Sequence, residues 1–225
     1  MLDWLFAPQC VACKTPATTP LCAPCNGSLE PLGPACPRCA EPTGDVAIVC
    51  RRCAIEPLPL ERVIAPWHFG GQLAAAIRAL KFAKRTSVAR AVAPLWAPVL
   101  AAAVAEYDGV VVPVPLHWRR RWTRGYDHAW LLATHACRAA GLAAPRPVLR
   151  RVRASPPQST LPARERRGNL RGVFAVRNAR PIAGRAVILV DDVVTTGATL
   201  AACAGPLLAA GATTVIGVAL ARAHH

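Results

Sequence analysis

The sequence predicts an α/β domain with a mostly parallel sheet and flanking helices, preceded by a small cysteine-rich domain. Two observations support this: the order strand, loop, helix recurs in the second part of the chain, and the cysteines concentrate in the first. A chain of 225 residues that is 53% hydrophobic and 17% charged is long enough for one ordinary domain and a smaller one. We expect domains at residues 1–57 and 62–225, joined by the linker "EPLPLERV".

The N-terminal part carries eight of the ten cysteines, in four C-x-x-C pairs: Cys10/Cys13, Cys22/Cys25, Cys36/Cys39 and Cys50/Cys53. These pairs predict two tetrahedral Cys₄ zinc sites, because each C-x-x-C turn places two thiolates on one side of a tight knuckle. The pairs fit two consecutive zinc ribbons, and they also fit a cross-brace in which the first pair joins the third. Disulfides fit less well because a secretory context is lacking, and redox-active thiols fit less well because four regular copies exceed what catalysis needs.

After the linker, the pattern changes to alternating strands and helices. "RVIAPWHFGG" has strand character, and "QLAAAIRALKFAKR" places apolar residues at helical spacing. "GVVVPVPLH" predicts a buried strand and "GYDHAWLLATHACRAAG" a helix. A last unit consists of "VFAV", the strand that begins at Val187, its helix, and "TTVIGVAL". This order predicts a mostly parallel sheet.

Membrane insertion and secretion are not expected. The longest apolar stretch, Ala91 to Ala105, is shorter than a membrane span and contains Pro94 and Pro98. The N-terminus "MLDWLFAPQC" lacks the basic and apolar regions of a signal peptide. We therefore expect a cytoplasmic protein without a membrane span.

The segment "VILVDDVVTTGATL" suggests a binding site. Asp191 and Asp192 follow four apolar residues, so we expect them where a buried strand ends. The loop of small and hydroxyl-bearing residues that follows can aim backbone N–H groups at a phosphate on a helix N-terminus. Carboxylates beside a phosphate site suit sugar hydroxyls or Mg²⁺, so a sugar phosphate is the expected ligand. The alternative is an ordinary turn with Asp192 near the helix N-cap.

The formal net charge of +15 is concentrated in one segment. Between Arg119 and Arg185 there are sixteen arginines against Asp127 and Glu165, which predicts a strongly anionic partner. "HWRRRWTRGYDH" interleaves arginines with aromatic residues, either to stack bases while neutralising phosphates, or to grip a diphosphate while the aromatics pack in the core.

A long basic segment, "RRVRASPPQSTLPARERRGNLRGVF", separates two ordered parts of the chain. It fits a lid over the site, or alternatively a disordered basic linker. The six histidines, His128 among them, lack metal-ligand spacing and are expected to be structural.

Residues 187–199 resemble the thirteen-residue signature of type I phosphoribosyltransferases. Together with the C-x-x-C pairs, "PVPLHWRRRWTRGYDHA" and "PPQSTLPARERRGNLRGVF", they resemble the ComF family of competence-associated proteins. The resemblance covers nearly the whole chain. The family usually reads R-G-F/Y-N-Q after the arginines, whereas this chain has Asp127 and His128.

The resemblance implies that the larger domain binds 5-phosphoribosyl-1-pyrophosphate with Mg²⁺. Asp191 and Asp192 would contact the ribose hydroxyls as the catalytic acids, while Lys81 and Arg119 are weaker candidates for neutralising the pyrophosphate. The expected ligand contacts are Asp191, Asp192, Val193, Thr195, Thr196, Gly197, Ala198, Thr199, Pro113, Val114, Pro115, Lys81 and Arg119. The expected nucleic-acid contacts are Arg119, Arg120, Arg121, Trp122, Arg124, Arg164, Arg166 and Arg167.

Three functions follow from this resemblance. The first is an accessory protein of DNA uptake or utilisation that handles single-stranded DNA, with competence or DNA-processing proteins as partners. The second is an active phosphoribosyltransferase with an unidentified base or amine as acceptor. Threonine at position 195, where 6-oxopurine transferases typically have aspartate, argues against purine salvage. The third is a regulator that binds the ligand without turnover. Because the last strand is followed by only a few residues, the zinc domain is expected to cover the site.

Overall fold

The computed structural model describes residues 9–19, 21–116, 125–153 and 172–224. Five strands form a parallel sheet in which β7 lies between β6 and the two short strands β1 and β2, and β6 lies between β7 and β3. These strands are β1 (Val63–Ile64), β2 (Trp67–His68), β3 (Val110–Pro113), β6 (Ala186–Val194) and β7 (Thr214–Arg222). The expected α/β class and parallel sheet are confirmed.

Strands β6 and β7 form the centre of the sheet. They pair along their whole length, from Ala186 opposite Thr214 to Val194 opposite Arg222. Residues 187–190 of β6 are completely buried, as their apolar run predicted, because helices cover both faces of the sheet.

Helices connect the strands. The four long ones are α3 (Gly71–Phe82), α4 (Ser87–Tyr107), α5 (His128–Ala139) and α6 (Ala198–Ala209), and α1 (Ala23–Gly27) and α2 (Arg51–Ile55) lie in the cysteine-rich part. The apolar residues predicted at helical spacing in α3 are all buried: Leu73, Ile77 and Leu80 are at most 2% exposed. The stripe packs α3 against the core.

The segment "VFAV" does not join the parallel sheet, contrary to the sequence prediction. It forms β5 (Phe174–Val176), which pairs antiparallel with β4 (Leu149–Arg151) in a separate two-stranded ribbon. Phe174 is 4% exposed and packs β5 against α6. Three residues with one strongly buried side chain suit a short ribbon on a helix better than a central strand buried on both faces.

Helix α4 has the length and apolar composition of a membrane-crossing helix. It is 21 residues long with Pro94 and Pro98 inside, so the expectation that this stretch is too short was wrong. Half of its most apolar window is buried inside the protein, and Trp96 and Leu100 are fully buried. The buried core helix of a protein that does not span a membrane can have the same length and apolar composition.

The cysteine-rich part shares its hydrophobic core with the α/β domain. Cys10, Val11 and Cys25 pack in one cluster with α3 and α4, on one face of the sheet. Cys36, Cys39 and Cys53 belong to a second cluster with the opposite face and α6. The two ribbons therefore lie on opposite faces of the sheet.

Candidate functional site

The eight N-terminal cysteines form two groups of four. The sulfur atoms within each group lie within 4.8 Å of one another, and the groups are Cys10, Cys13, Cys22, Cys25 and Cys36, Cys39, Cys50, Cys53. Consecutive pairs combine, which selects two successive zinc ribbons over the cross-brace. The Sγ atoms of Cys13 and Cys22 are 3.6 Å apart, as are those of Cys39 and Cys50. Bonds of about 2.3 Å to a tetrahedral zinc place thiolates about 3.8 Å apart, so both groups fit the metal.

Backbone N–H groups favour the ionised thiols that zinc requires. The N–H of Cys22 points at Sγ of Cys10 at 3.5 Å, and that of Cys50 at Sγ of Cys36 at 3.3 Å. Burial opposes ionisation, but these N–H groups, together with those of neighbouring residues, outweigh it, so that the pKa is about 6 for Cys10 and about 7 for Cys36. Cys10 and Cys36 are thus prepared to bind metal as thiolates near neutral pH. Burial raises the pKa of Cys25, Cys39 and Cys53, so these thiols lose their protons only when the metal binds.

A cleft of about 360 Å³ opens at the carboxyl ends of β3 and β6. Its walls come from the end of α3, the loop after β3, the start of α5, and the segment that joins β6 to α6. This is the edge of a parallel sheet where ligands usually bind. Within the described part of the chain, no residue before Phe69 lines the cleft, so the expected cover by the zinc domain is not seen there.

The two aspartates lie inside strand β6, not after its end. Asp191 pairs with Ala219, and the ladder with β7 continues to Val194. On the other side β3 ends opposite Val190, one residue before the aspartates. Strand β6 extends beyond the end of β3 but stays paired with β7. The carboxylates therefore reach the cleft while their backbone remains in the sheet. The alternative with Asp192 near the helix N-cap is therefore wrong.

Asp192 is the buried carboxylate of the pair, 3% exposed, and two cationic or ionisable groups face it. Nζ of Lys81 lies 2.6 Å from its Oδ2, and Nε2 of His128 lies 3.7 Å from the same atom. Burial alone would raise the pKa of Asp192, but Lys81 and His128 outweigh it, so that its pKa falls below the usual value.

Asp191 has the opposite character. Burial and the neighbouring charge of Asp192 hold its pKa well above the usual value. Its Oδ1 accepts the N–H of Asp192 at 2.9 Å, which fixes the side chain beside its neighbour. The cleft therefore holds one carboxylate that is compensated by Lys81 and one that gains from an added cation or hydroxyl donor.

The loop between β6 and α6 has the backbone of an anion site. Gly197 precedes the helix at φ 77°, a left-handed conformation that glycine adopts readily. Thr196 is 5% exposed, and its Oγ1 accepts the N–H of Ala198 at 3.3 Å, which tightens the turn. Thr195, Gly197, Ala198 and Thr199 line the cleft. The helix N-terminus adds a favourable dipole for an anion.

Asp127 and His128, which depart from the family pattern, both have defined contacts. Asp127 is the N-cap of α5, since its Oδ1 accepts the N–H of Trp130 at 3.2 Å. Its Oδ2 accepts the N–H of Leu116 at 2.9 Å and so fixes the loop after β3. His128, the first residue of α5, faces Asp192.

The structure brings most of the expected ligand contacts together. Lys81, Val114, Pro115, Asp191, Asp192, Val193, Thr195, Gly197, Ala198 and Thr199 all line the cleft. Pro113 does not line it, because it is buried as the last residue of β3. Thr196 lies behind the loop, with its hydroxyl turned to the backbone. The predicted nucleic-acid contacts lie outside the described residues: Arg119, Arg120, Arg121, Trp122, Arg124, Arg164, Arg166 and Arg167.

Sequence reasoning missed several cleft residues. His128 was expected to be structural, although its place just after an N-cap aspartate put it at the sheet edge. Arg151 also lines the cleft, with its guanidinium 5.4 Å from the ring centre of Phe174. Nothing in the sequence distinguished it from the other arginines of the basic segment. Phe69, two residues before α3, and Phe82, its last residue, also line the cleft.

Comparisons with known proteins agree with this architecture. A family model described as a double zinc ribbon domain matches residues 1–54, and one described as a phosphoribosyl transferase domain matches residues 131–225. DNA utilization protein YhgH of Salmonella typhi is 34% identical over 214 residues, which cover 92% of this chain and 93% of that protein. YhgH of Shigella flexneri is 33% identical over 213 residues, with the same coverage.

A third relative has a different name. Competence protein F of Haemophilus influenzae is 29% identical over 202 residues, which cover 85% of this chain and 87% of that protein. Both domain models match in the order that the sequence predicted. Since relatives of this similarity span nearly its whole length, the chain belongs to the ComF family of competence and DNA utilization proteins, with a double zinc ribbon and a phosphoribosyltransferase-type domain.

Proposed function

We propose that this protein binds 5-phosphoribosyl-1-pyrophosphate with Mg²⁺ in the cleft, binds single-stranded DNA through its arginine-rich segments, and serves DNA uptake or utilisation in the cytoplasm. One observation carries the ligand proposal: the carboxylates of Asp191 and Asp192 share a cleft of about 360 Å³ with the left-handed turn at Gly197 and the N-terminus of α6. The cleft thus combines carboxylates that can accept hydrogen bonds from sugar hydroxyls with a site for an anion, as a sugar phosphate requires.

Different walls of the cleft suit different groups of the ligand. The loop from Thr195 to Thr199 takes the 5′-phosphate through backbone N–H groups at the start of α6. The carboxylates of Asp191 and Asp192 accept hydrogen bonds from the ribose hydroxyls. Lys81 and Arg151 supply positive charge for the pyrophosphate.

The donor set suits Mg²⁺ that arrives with the ligand. Asp191, Asp192 and His128 each offer a ligand atom, and these atoms lie within 4.8 Å of one another. Lys81 already compensates Asp192, so an all-protein magnesium site is unfavourable here. Mg²⁺ usually binds through one or two carboxylates together with substrate phosphates, and Asp191 supplies such a carboxylate. When bound, the ion offsets negative charge on the pyrophosphate.

The DNA part of the proposal has two supports. Relatives are named for DNA utilization and for competence. The chain also has sixteen arginines between positions 119 and 185, more than one sugar diphosphate can neutralise. Aromatic residues interleaved with arginines, as at Trp118 and Trp122, suit the stacking of unpaired bases.

The DNA proposal is tested by fluorescence anisotropy with a labelled single-stranded oligonucleotide over a series of salt concentrations. The test variant replaces Arg119, Arg120, Arg121 and Arg124 with glutamine. We expect the slope of log affinity against log salt to become shallower by about 0.7 for each DNA phosphate that the variant no longer neutralises. The Asp191→Asn/Asp192→Asn variant, which keeps these arginines, is the control and should retain the slope. A DNA affinity that does not change with salt concentration would contradict the proposal.

A further inference from the structure

Leu58, from the linker after the second ribbon, lies directly against the loop between β6 and α6. A Cβ atom added to Gly197 would stand 2.7 Å from Cδ1 of Leu58, too close for any ordinary contact. Leu58 is 5% exposed and shares a core cluster with Ala198. The wall behind the phosphate side of the cleft is therefore a side chain that comes from outside the α/β domain.

The chain leading to Leu58 is fixed at its metal site. Cys53 ends the second C-x-x-C pair of that ribbon, five positions before Leu58. Cys36, Cys39 and Cys53 pack in the same core cluster as Leu58 and Ala198. Because the ribbon has no separate core, the position of Leu58 depends on the knuckles that zinc holds together.

A buried arginine fixes the same ribbon to the sheet. Arg222, the last residue of β7, is completely buried, donates to the carbonyl oxygen of Cys39 at 3.1 Å, and pairs with Glu41. Burying a guanidinium is costly unless such partners compensate it. The next residue, Ala223, lines the cleft and donates its N–H to the carbonyl of Val194 at 2.9 Å. The ribbon is thus attached to β7, and through it to the end of β6 at the cleft.

We propose that the second zinc ribbon is a positioning element of the cleft, and that Leu58 holds the loop around Gly197 in its left-handed turn. Leu58 and Arg222 touch no ligand in this proposal. They set the conformation of the backbone N–H groups that take the phosphate, so that ligand affinity depends on an intact second ribbon. The affinity part rests on the proposed function, whereas the positioning of the loop does not.

The test compares Leu58→Ala with Leu60→Ala. Leu60 is 4% exposed in the same linker and core cluster, so its truncation removes the same atoms, while the contact with Gly197 belongs to Leu58. Hydrogen exchange of the Thr196–Thr199 amides is measured first, on ligand-free protein with two zinc ions per chain. We expect exchange at least tenfold faster in Leu58→Ala than in Leu60→Ala at equal unfolding midpoints. Leu58→Met should restore slow exchange.

Calorimetric titration with ribose 5-phosphate follows. We expect Leu58→Ala to weaken binding about tenfold, and Leu60→Ala less than twofold. Equal loop exchange in the two alanine variants would overturn the inference, whatever the ligand data show. If wild type binds neither ribose 5-phosphate nor 5-phosphoribosyl-1-pyrophosphate with Mg²⁺ while loop exchange differs as expected, the proposed function fails and the positioning role stands. If Leu58→Ala does not fold, the same measurements are made on Leu58→Val and Leu60→Val.

Discussion

Nζ of Lys81 lies 2.6 Å from Oδ2 of Asp192, and this ion pair joins the last turn of α3 to the end of β6. It gives the two adjacent aspartates different roles in the free protein. Asp192 is buried and compensated, whereas Asp191 keeps a raised pKa and lacks an equivalent ion pair among the described residues. The cleft is therefore set up to gain most when a ligand brings a cation or hydroxyl donors to Asp191.

Replacing Lys81 by methionine should destabilise the protein by about 2 kcal/mol, because it leaves a buried carboxylate without its partner. Urea unfolding at pH 7 measures the change in stability. Lys81→Arg keeps the charge and should recover most of the stability. Equal stability of the methionine variant and wild type would show that the ion pair does not compensate Asp192.

The two aspartates should affect stability in opposite directions with pH. The folded pKa of Asp192 lies below its unfolded value, so its stabilising contribution is present above about pH 4 and is lost as the pH falls through the folded pKa. The folded pKa of Asp191 lies above its unfolded value, so its contribution is present below about pH 4 and is lost as the pH rises through the folded pKa.

Asp191→Asn should therefore stabilise the protein at pH 7, and Asp192→Asn should destabilise it. Both differences should shrink at acid pH, where the wild-type carboxyls become protonated. Chemical denaturation of both variants between about pH 3 and pH 8 measures this. The assignment of the two pKa directions would be reversed if Asp191→Asn proved the less stable variant at pH 7.

Each cysteine group should hold one zinc ion. Metal analysis is expected to give two ions per chain for wild type, and one each for Cys13→Ser and Cys39→Ser, which remove one ligand from different groups. Since the ribbons share core clusters with the sheet, chelation should lower the unfolding midpoint of the whole protein. A chelated protein with an unchanged midpoint would contradict this shared core.

Arg151 should contribute to ligand binding through its charge. Arg151→Met is expected to weaken binding of 5-phosphoribosyl-1-pyrophosphate about tenfold, or about 1.4 kcal/mol. Arg150→Met is the matched control, because the neighbouring residue of β4 is exposed and points to the opposite face of the strand. Calorimetry measures both. Equal affinity of the two variants would show that Arg151 does not contribute to ligand binding.

Much of the fold was predictable, because it follows from strong local patterns. The fourfold C-x-x-C repeat predicted two Cys₄ groups, but only the structure could show which pairs combine. The apolar run before Asp191 predicted a buried strand. Its length was underestimated, because the pairing that carries β6 to Val194 comes from β7, far along the chain.

The missed features depend on tertiary contacts. His128 belongs to the cleft only because α5 begins beside β6. Arg151 belongs to it only because β4 and β5 form a separate two-stranded sheet near the cleft. Leu58 reads as an ordinary linker residue until its contact with Gly197 is seen. Such contacts join residues distant in sequence, which periodicity and spacing cannot report.

We propose that the cleft with Asp191 and Asp192 is a ribose-phosphate site. Calorimetric titration of 5-phosphoribosyl-1-pyrophosphate in the presence of Mg²⁺ tests it, on wild type and on Asp191→Asn/Asp192→Asn with its zinc content verified. We predict one ligand per chain for wild type and about 100-fold weaker binding for the double variant, or about 2.7 kcal/mol. Absence of binding to wild type, or equal affinity of the two proteins, would contradict the account.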